Sequence, residues 1–160
     1  MSTTLLRSAA PRRSAILLIA ALLGLTLAVN PMSAPTAGAA VSAAVGVRAV
    51  HVAAAQVGVR YRSGGTSPRT GFDCSGLTQY TYARVGKRLP RTAQQQFRAT
   101  ARISNRNARA GDLVFFYSGR TIYHVGIYAG RGYMYASPHT GSSVKRQKIW
   151  TTHYYVNRVR

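Results

Sequence analysis

The sequence predicts an α+β domain in which helices precede an antiparallel sheet of about five strands. Residues 50–101 contain stretches with helix-forming composition and helix caps, whereas the chain from Asp112 onward consists of short β-branched and aromatic runs separated by Gly, Ser and Pro. The connections between these runs are too short for parallel crossovers, so neighbouring strands should pair antiparallel. A chain of 160 residues with 46% hydrophobic residues can bury the core of one such domain.

The first 40 residues have the order of a secretory signal peptide. Basic residues at 7–13 precede an apolar run at 15–29, and small residues follow. This run is shorter than the roughly 20 residues of a membrane-spanning helix, and no second such stretch follows it. We therefore expect residues 1–40 to be removed and residues 41–160 to form a secreted or wall-associated monomer without a membrane span. An uncleaved N-terminal anchor is the alternative.

The first predicted elements after this segment are helical. Residues 50–57 are expected to form a short Ala-rich helix, and residues 60–70 a loop rich in Gly and Pro. Asp73 is the expected N-cap of the next helix, with Cys74 in its first turn. Residues 92–101 are polar and Gln-rich, which favours a further, more exposed helix.

The strands are predicted from short β-branched or aromatic runs in the second half of the chain. Asp112 precedes the first of them and is expected to be a turn or strand-entry residue rather than a catalytic acid. Turn-forming residues separate five runs, which cover 113–117, 123–128, 133–137, 144–149 and 154–159.

Composition excludes several classes of chemistry. Against 22 Lys and Arg residues the chain has only two acids, Asp73 and Asp112, so it has a formal charge of +20. Carboxylate-pair glycosidases, two-metal nucleases and oxygen-ligand calcium sites lack ligands here, and no metal or other cofactor is implied.

The positive charge instead favours a polyanionic partner. Loss of the arginines within residues 1–40 would leave a net charge of +17. Outside a cell that partner could be an anionic wall polymer, a lipid headgroup surface or free nucleic acid, and a generally cationic, soluble surface is an equal alternative. Nucleic acid is the least favoured partner, because the basic residues are not interleaved with stacking aromatics.

The single cysteine, Cys74, cannot form an internal disulfide. It is therefore either a small buried hydrophobe or a reactive thiol. At a helix N-terminus the unpaired N–H groups and the helix dipole should lower the pKa of a thiol. This position favours a nucleophile, and a structural cysteine is the alternative.

A nucleophilic cysteine needs a nearby base, which is normally a histidine. Of the four histidines only His124 lies in a strongly patterned strand, where its imidazole would be held rigidly. A half-buried strand histidine is the alternative reading of that position. His51 and His153 are expected on the surface, and His139 is either a loop residue or part of the site.

Five stretches of the chain, in this order, match one known family. The sequence between Val52 and about Ile149 resembles the NlpC-type cell-wall peptidases, which are papain-like secreted endopeptidases that cut peptidoglycan stem peptides. The matching stretches lie at 58–65, 72–77, 89–93, 110–116 and 124–128.

The resemblance implies a papain-like fold and a role for each matching residue. It makes Cys74 the nucleophile and His124 the base. It also implies that Tyr61, Asp73 and Ser75 line the pocket that recognises the free amino end of the stem peptide, and that Arg91 shapes the groove.

One part of the family pattern is missing. The family usually has a third polar residue before the Ala of the strand that follows His124, and in this chain that position holds Tyr135. Tyr135, His139 or a backbone carbonyl could orient the imidazole, and we place Tyr135 slightly ahead of His139. Ser63 also replaces an aromatic residue that is common in the family.

The expected function is therefore that of a secreted cysteine endopeptidase. By resemblance it would hydrolyse peptidoglycan stem peptides between D-glutamate and the diamino acid that follows. Two alternatives remain at this point. One is an acyltransferase with the same Cys and His residues, and the other is a non-catalytic cationic module that binds the wall.

Overall fold

A computed structural model describes Met1 and residues 42–160, so the predicted signal peptide lies outside the described part apart from Met1. The elements follow the predicted order of helices and then strands. The helices are α1 (Ala43–Ala54), α2 (Cys74–Arg84) and α3 (Ala93–Ala99), with a short 3₁₀ turn at Asn105–Asn107. The strands are β1 (Thr66–Ser67), β2 (Gly71–Phe72), β3 (Ala101–Ile103), β4 (Leu113–Ser118), β5 (Thr121–Gly130), β6 (Tyr133–Ala136), β7 (Lys145–Lys148) and β8 (Tyr154–Arg158).

The main sheet is antiparallel and has six strands, in the order β3-β8-β4-β5-β6-β7. Its last five strands in sequence are the five that were predicted. The sixth, β3, has three residues and pairs with β8 at the sheet edge. Strands β1 and β2, of two residues each, pair as a separate antiparallel ribbon. Strand β1 lies within the expected loop at 60–70, and β2 directly follows that loop.

The helices differ from the prediction at their ends. Helix α1 begins at Ala43 rather than at Val50, because the Ser42 side chain accepts a hydrogen bond from the Val45 N–H and caps the earlier turn. Helix α2 begins as predicted, with Asp73 as its N-cap. Helix α3 is shorter than predicted and less exposed.

The lower exposure of α3 is explained by Gln96. It is fully buried, and its amide donates to the carbonyl oxygens of Ser75 and Pro90 while its oxygen accepts from Thr78. These bonds tie α3 to the first turn of α2. A polar residue that the composition assigned to the surface is thus an interior link between two helices.

Alternate side chains of the central strands enter two clusters on opposite faces of the sheet. The helix-side cluster lies between the sheet and the helices, and its buried members are Ala49, Ala53, Tyr82, Leu89, Ala93, Leu113, Phe115, Ile122, Val125, Ile127 and Val159. The outer cluster lies on the other face, and its buried members are Val114, Phe116, Met134 and Ala136. Among residues 42–160, none of the helices is both long and apolar enough to cross a membrane.

Candidate active site

Cys74 is the first residue of α2, and its half-buried side chain packs against the helix-side cluster. The Asp73 carboxylate caps the helix by accepting from the Gly76 N–H at 2.7 Å. Gly76 allows the loop before β1 to approach this turn, because a Cβ at that position would lie 2.0 Å from the carbonyl oxygen of Gly65. The helix start is therefore held between its cap and the glycine loop.

Asp73 is also the centre of a charged cluster. Arg91 donates to both carboxylate oxygens, at 3.1 and 2.5 Å, and to the Ser75 hydroxyl at 3.0 Å. The Gly64 N–H donates to the same carboxylate at 2.9 Å. Burial alone would raise the pKa of Asp73, but Arg91 and the two backbone N–H groups outweigh it and hold this pKa below its ordinary value.

Tyr61 completes this side of the site. Its backbone pairs with Phe72, the residue before Asp73, so Tyr61 lies beside the start of α2. Burial raises the pKa of its phenol, and the charges of Cys74 and Asp73 raise it further. The four residues assigned to substrate binding by resemblance, Tyr61, Asp73, Ser75 and Arg91, thus lie together around the N-terminus of α2.

The protonation of Cys74 differs from the expectation. Burial raises the pKa of its thiol, and the Asp73 carboxylate raises it further. The N–H groups of Val125 and Ser75 and the Ser75 hydroxyl lower it, but they offset only part of the effect. The predicted lowering by the helix N-terminus is therefore wrong for the free protein, and the thiol is protonated at neutral pH.

His124 lies in β5, opposite Phe116 of β4, and is 5% exposed. Its ring centroid lies 5.6 Å from that of Phe116 and 5.7 Å from that of Trp150, so it borders the outer cluster. Burial lowers the pKa of His124 to about 4, with a further contribution from His139. The imidazole is therefore neutral at neutral pH, and its buried Nε2 has no hydrogen-bond partner within residues 42–160.

Cys74 and His124 are connected through the backbone of β5, and among the described residues their side chains are not in contact through a hydrogen bond. The Val125 N–H, next to His124, is one of the groups that stabilise the Cys74 thiolate. The sulfur packs on the helix side of the sheet and the imidazole lies with the outer cluster. In the described part of the chain no hydrogen bond joins them.

A bulge lies next to the histidine. The register between β4 and β5 shifts between Phe116 and Tyr117, where Tyr123 is the extra residue of β5. His124 itself keeps the strand alternation, because it pairs with Phe116 of the outer cluster while the next residue, Val125, belongs to the helix-side cluster.

The two candidates for the third catalytic position lie on different sides of the sheet. His139 and His124 line the same pocket, and His139 donates from Nδ1 to the Thr140 carbonyl oxygen at 2.8 Å, which leaves Nε2 as the acceptor. Tyr135 lies opposite Ile127 and packs against the helix-side cluster. The structure therefore brings His139, and not Tyr135, to the ring of His124.

The remaining titratable candidates are outside the site. His51 and His153 are exposed, as predicted. Asp112 precedes β4 and forms a buried ion pair with Arg158, in which Nε and Nη2 donate to the carboxylate at 2.8 Å each, so its predicted structural role is confirmed. In the described ranges, no three of His, Cys, Asp and Glu lie close enough to hold a metal ion.

Two aromatic residues beside His124 were not predicted from the sequence. Tyr123 and Trp150 line its pocket, which has a volume of about 170 Å³ and also includes Pro138 and His139. The only available signal was that Trp150 is the single tryptophan of a chain otherwise rich in tyrosine.

A family model described as the NlpC/P60 family matches residues 58–159, which include the helix α2, the Asp73 cluster and the pocket of His124. The chain belongs to the NlpC/P60 family. NlpC/P60 proteins are cysteine peptidases, which confirms the resemblance and, at the level of the family, the predicted enzyme class.

Individual NlpC/P60 proteins show how far the similarity extends. The chain is 50% identical over 101 residues to the bifunctional muramidase/DL-endopeptidase CwlT of Bacillus subtilis, covering 60% of this chain and 31% of that protein. It is 46% identical over 108 residues to the murein DD-endopeptidase MepH of Escherichia coli, covering 62% of this chain and 40% of that protein. The chain thus spans less than half the length of these two relatives.

The solved structure of the NlpC/p60 domain of the peptidoglycan hydrolase SagA has the same fold. It is 35% identical with a TM-score of 0.65, and the match covers 72% of this chain and 98% of that domain. This similarity confirms the predicted α+β class for the described domain.

Proposed function

We propose that this protein is a secreted cysteine endopeptidase that hydrolyses stem peptides of peptidoglycan between D-glutamate and the following diamino acid. The observation that carries the proposal is the position of Cys74, the single cysteine, at the start of α2 and beside the Val125 N–H, within a chain that matches the NlpC/P60 family over residues 58–159. The names of CwlT, a bifunctional muramidase/DL-endopeptidase, and MepH, a murein DD-endopeptidase, support the substrate class.

The neutral thiol and imidazole define the proton transfers. His124 removes the thiol proton as the Cys74 sulfur attacks the carbonyl carbon, so a C–S bond forms and the oxygen becomes an oxyanion held by N–H donors such as that of Cys74. The C–N bond then breaks, and the departing amine takes the proton from the imidazolium. Water hydrolyses the thioester, with His124 accepting its proton and returning it to the sulfur.

This sequence requires the imidazole of His124 to face the sulfur. His124 is adjacent in β5 to Val125, whose backbone N–H bonds the sulfur. His139 is the group that we assign to orient the ring, because it lines the same pocket and presents Nε2 as an acceptor. Tyr135 is less suited because it packs against the helix-side cluster.

The cluster around Asp73 serves the acyl side of the substrate. Tyr61, Asp73 and Ser75 present oxygen atoms near the sulfur, and these atoms suit the ammonium at the free amino end of a stem peptide. Arg91 already neutralises the Asp73 carboxylate, so the hydroxyls of Tyr61 and Ser75 contribute part of this recognition.

Digestion of defined muropeptides, analysed by mass spectrometry, tests the proposal. The parent protein should release the fragment that ends in D-glutamate, and Cys74→Ser and His124→Ala proteins should not. His51→Ala is the matched control, because this exposed histidine lies outside the site, and it should retain activity. Cleavage of D,D cross-links would support MepH-like specificity, a transferred acyl group would support the acyltransferase alternative, and binding to sacculi without any cleavage would support the wall-binding module.

The charge of the mature chain supports retention at the cell wall after export. The edge strand β7 exposes Lys145, Arg146 and Lys148, and the net charge without residues 1–40 is +17. Electrostatic retention should weaken as salt shortens the screening length to about 8 Å at physiological ionic strength. Co-sedimentation with sacculi at rising NaCl concentration tests this, and retention that does not depend on salt would contradict it.

A further inference from the structure

Trp150 presents a flat aromatic surface beside His124. Its indole stacks on the fully buried Phe116, with centroids 4.2 Å apart and planes 1° from parallel. The side chain is nevertheless 52% exposed, and so is that of Tyr123 on the same pocket. One indole face is therefore supported by the core while the other is free to contact a ligand.

The pocket next to this surface differs from the rest of this cationic protein. Among residues 42–160, no Lys, Arg, Asp or Glu lines it, and its walls include the rings of Tyr123, His124, Pro138, His139 and Trp150. A volume of about 170 Å³ is below the roughly 300 Å³ of a pocket for a drug-sized ligand, so it holds a group of the size of one residue.

The chemistry of peptide cleavage identifies which residue of the substrate lies there. The imidazole that protonates the departing amine must contact that amine, so the residue that carries it lies on the His124 side of the sulfur. The acyl portion lies at the cluster formed by Tyr61, Asp73, Ser75 and Arg91, around the start of α2. The pocket of Trp150 thus receives the leaving group.

We propose that Trp150 and Tyr123 form the subsite for the diamino acid whose amine departs. This inference rests on the proposed function. The aliphatic chain of a diamino acid packs along the free indole face, and its distal ammonium lies over the aromatic rings in a cation–π contact. The uncharged walls favour the aliphatic part of the diamino acid side chain. Glycine in the same position has no side chain to contact them.

Two substrates with an identical acyl portion test the subsite. One has a diamino acid after D-glutamate, and the other has glycine. In Trp150→Ala and Tyr123→Ala proteins the preference for the diamino acid, measured as the ratio of the two kcat/KM values, should fall about tenfold. Trp150→Phe should retain most of it, and Val47→Ala, at an exposed apolar residue of α1, should leave it at the parent value. Equal losses on both substrates, or no change in the ratio, would overturn the inference.

Binding can be measured without catalysis, because Trp150 is the single tryptophan of the chain. Titration of Cys74→Ser protein with the diamino acid peptide should change the indole fluorescence, and the glycine peptide should produce a much smaller change. Identical responses to the two peptides would reject the subsite even if the parent protein cleaves. Failure of the parent to cleave any muropeptide, together with a selective fluorescence response, would reject the proposed hydrolysis and retain the binding site.

Discussion

Replacement of Asp73 by Asn separates the structural role of this carboxylate from its electrostatic effect on Cys74. Asn caps helices as well as Asp does, so the bond from the Gly76 N–H is retained while the ion pair with Arg91 is lost. The Asp73 charge is one of the two causes that raise the pKa of Cys74. Its removal, which also leaves the Arg91 charge unpaired, should therefore lower that pKa and make the thiol more reactive near neutral pH.

The cost in stability follows from the contacts of Asp73. Hydrogen bonds to a charged group contribute roughly 1.5–3 kcal/mol each, and Arg91 makes two of them to this carboxylate. The Arg91 side chain is 36% exposed, so solvent screening reduces the total, and about 2 kcal/mol is a reasonable loss for the variant. With a urea m-value of about 2 kcal/mol/M the unfolding midpoint should fall by about 1 M.

The two effects are measured on the same protein. The rate of alkylation by iodoacetamide as a function of pH gives the pKa of Cys74, and urea unfolding followed by Trp150 fluorescence gives the stability. Asp73→Ala is the control that also removes the cap, which should cost about 1 kcal/mol more. A folded Asp73→Asn protein whose Cys74 pKa equals or exceeds that of the parent would refute the electrostatic argument.

The same ion pair has a defined pH dependence. Because the pKa of Asp73 is lower in the folded protein than its ordinary value of 3.8, the contribution of the carboxylate is present above that value and is lost as the pH falls through the folded pKa. The Asp73→Asn protein should lack this part of the acid transition.

Three further predictions concern other residues. Gly76→Ala places a Cβ 2.0 Å from the Gly65 carbonyl oxygen, so thermal unfolding should occur at a clearly lower temperature than in the parent, and an unchanged Tm would contradict the close packing. Arg158→Ala leaves the carboxylate of Asp112, 4% exposed, without its partner, and urea unfolding should show a loss of about 3–5 kcal/mol. Because burial lowers the pKa of His124 from 6.5 to about 4, the unfolded chain binds more protons between these values. The free energy of unfolding should therefore fall by roughly 3 kcal/mol as the pH decreases across this range, and equal slopes in parent and His124→Gln proteins would contradict the assignment.

Secondary structure was predictable where the local pattern was strong. The five predicted strands agree with β4 to β8 to within about two residues at their ends, because β-branched and aromatic runs bounded by turn-forming residues are typical of strands. Strand β3 has no such pattern, since three residues are too few to show a period and the strand exists only because Val156 and its neighbours pair with it. The early start of α1 was missed because its cap, Ser42, lies two residues after the segment assigned to the signal peptide.

The candidate site was predictable in its residue types and not in its electrostatics. The motifs identified Cys74 and His124, but the direction of the thiol pKa depends on burial and on the distance to Asp73, which the sequence does not contain. His124 lies on the outer face because Val125 faces the helices, and tertiary packing decides which face of the sheet the helices cover. The stacking of Trp150 on Phe116 joins residues far apart in sequence, so no local pattern could indicate it.

The place of β8 in the sheet has a consequence for the time course of folding. This strand lies between β3 and β4, although it is the latest of the three in the sequence, and Arg102 pairs with Asn157. During vectorial synthesis or passage through a translocon, the nascent β3 therefore has no partner until about 50 further residues have followed it. The sheet cannot close strand by strand, so a hydrolase with this topology would remain inactive while its chain is still in transit.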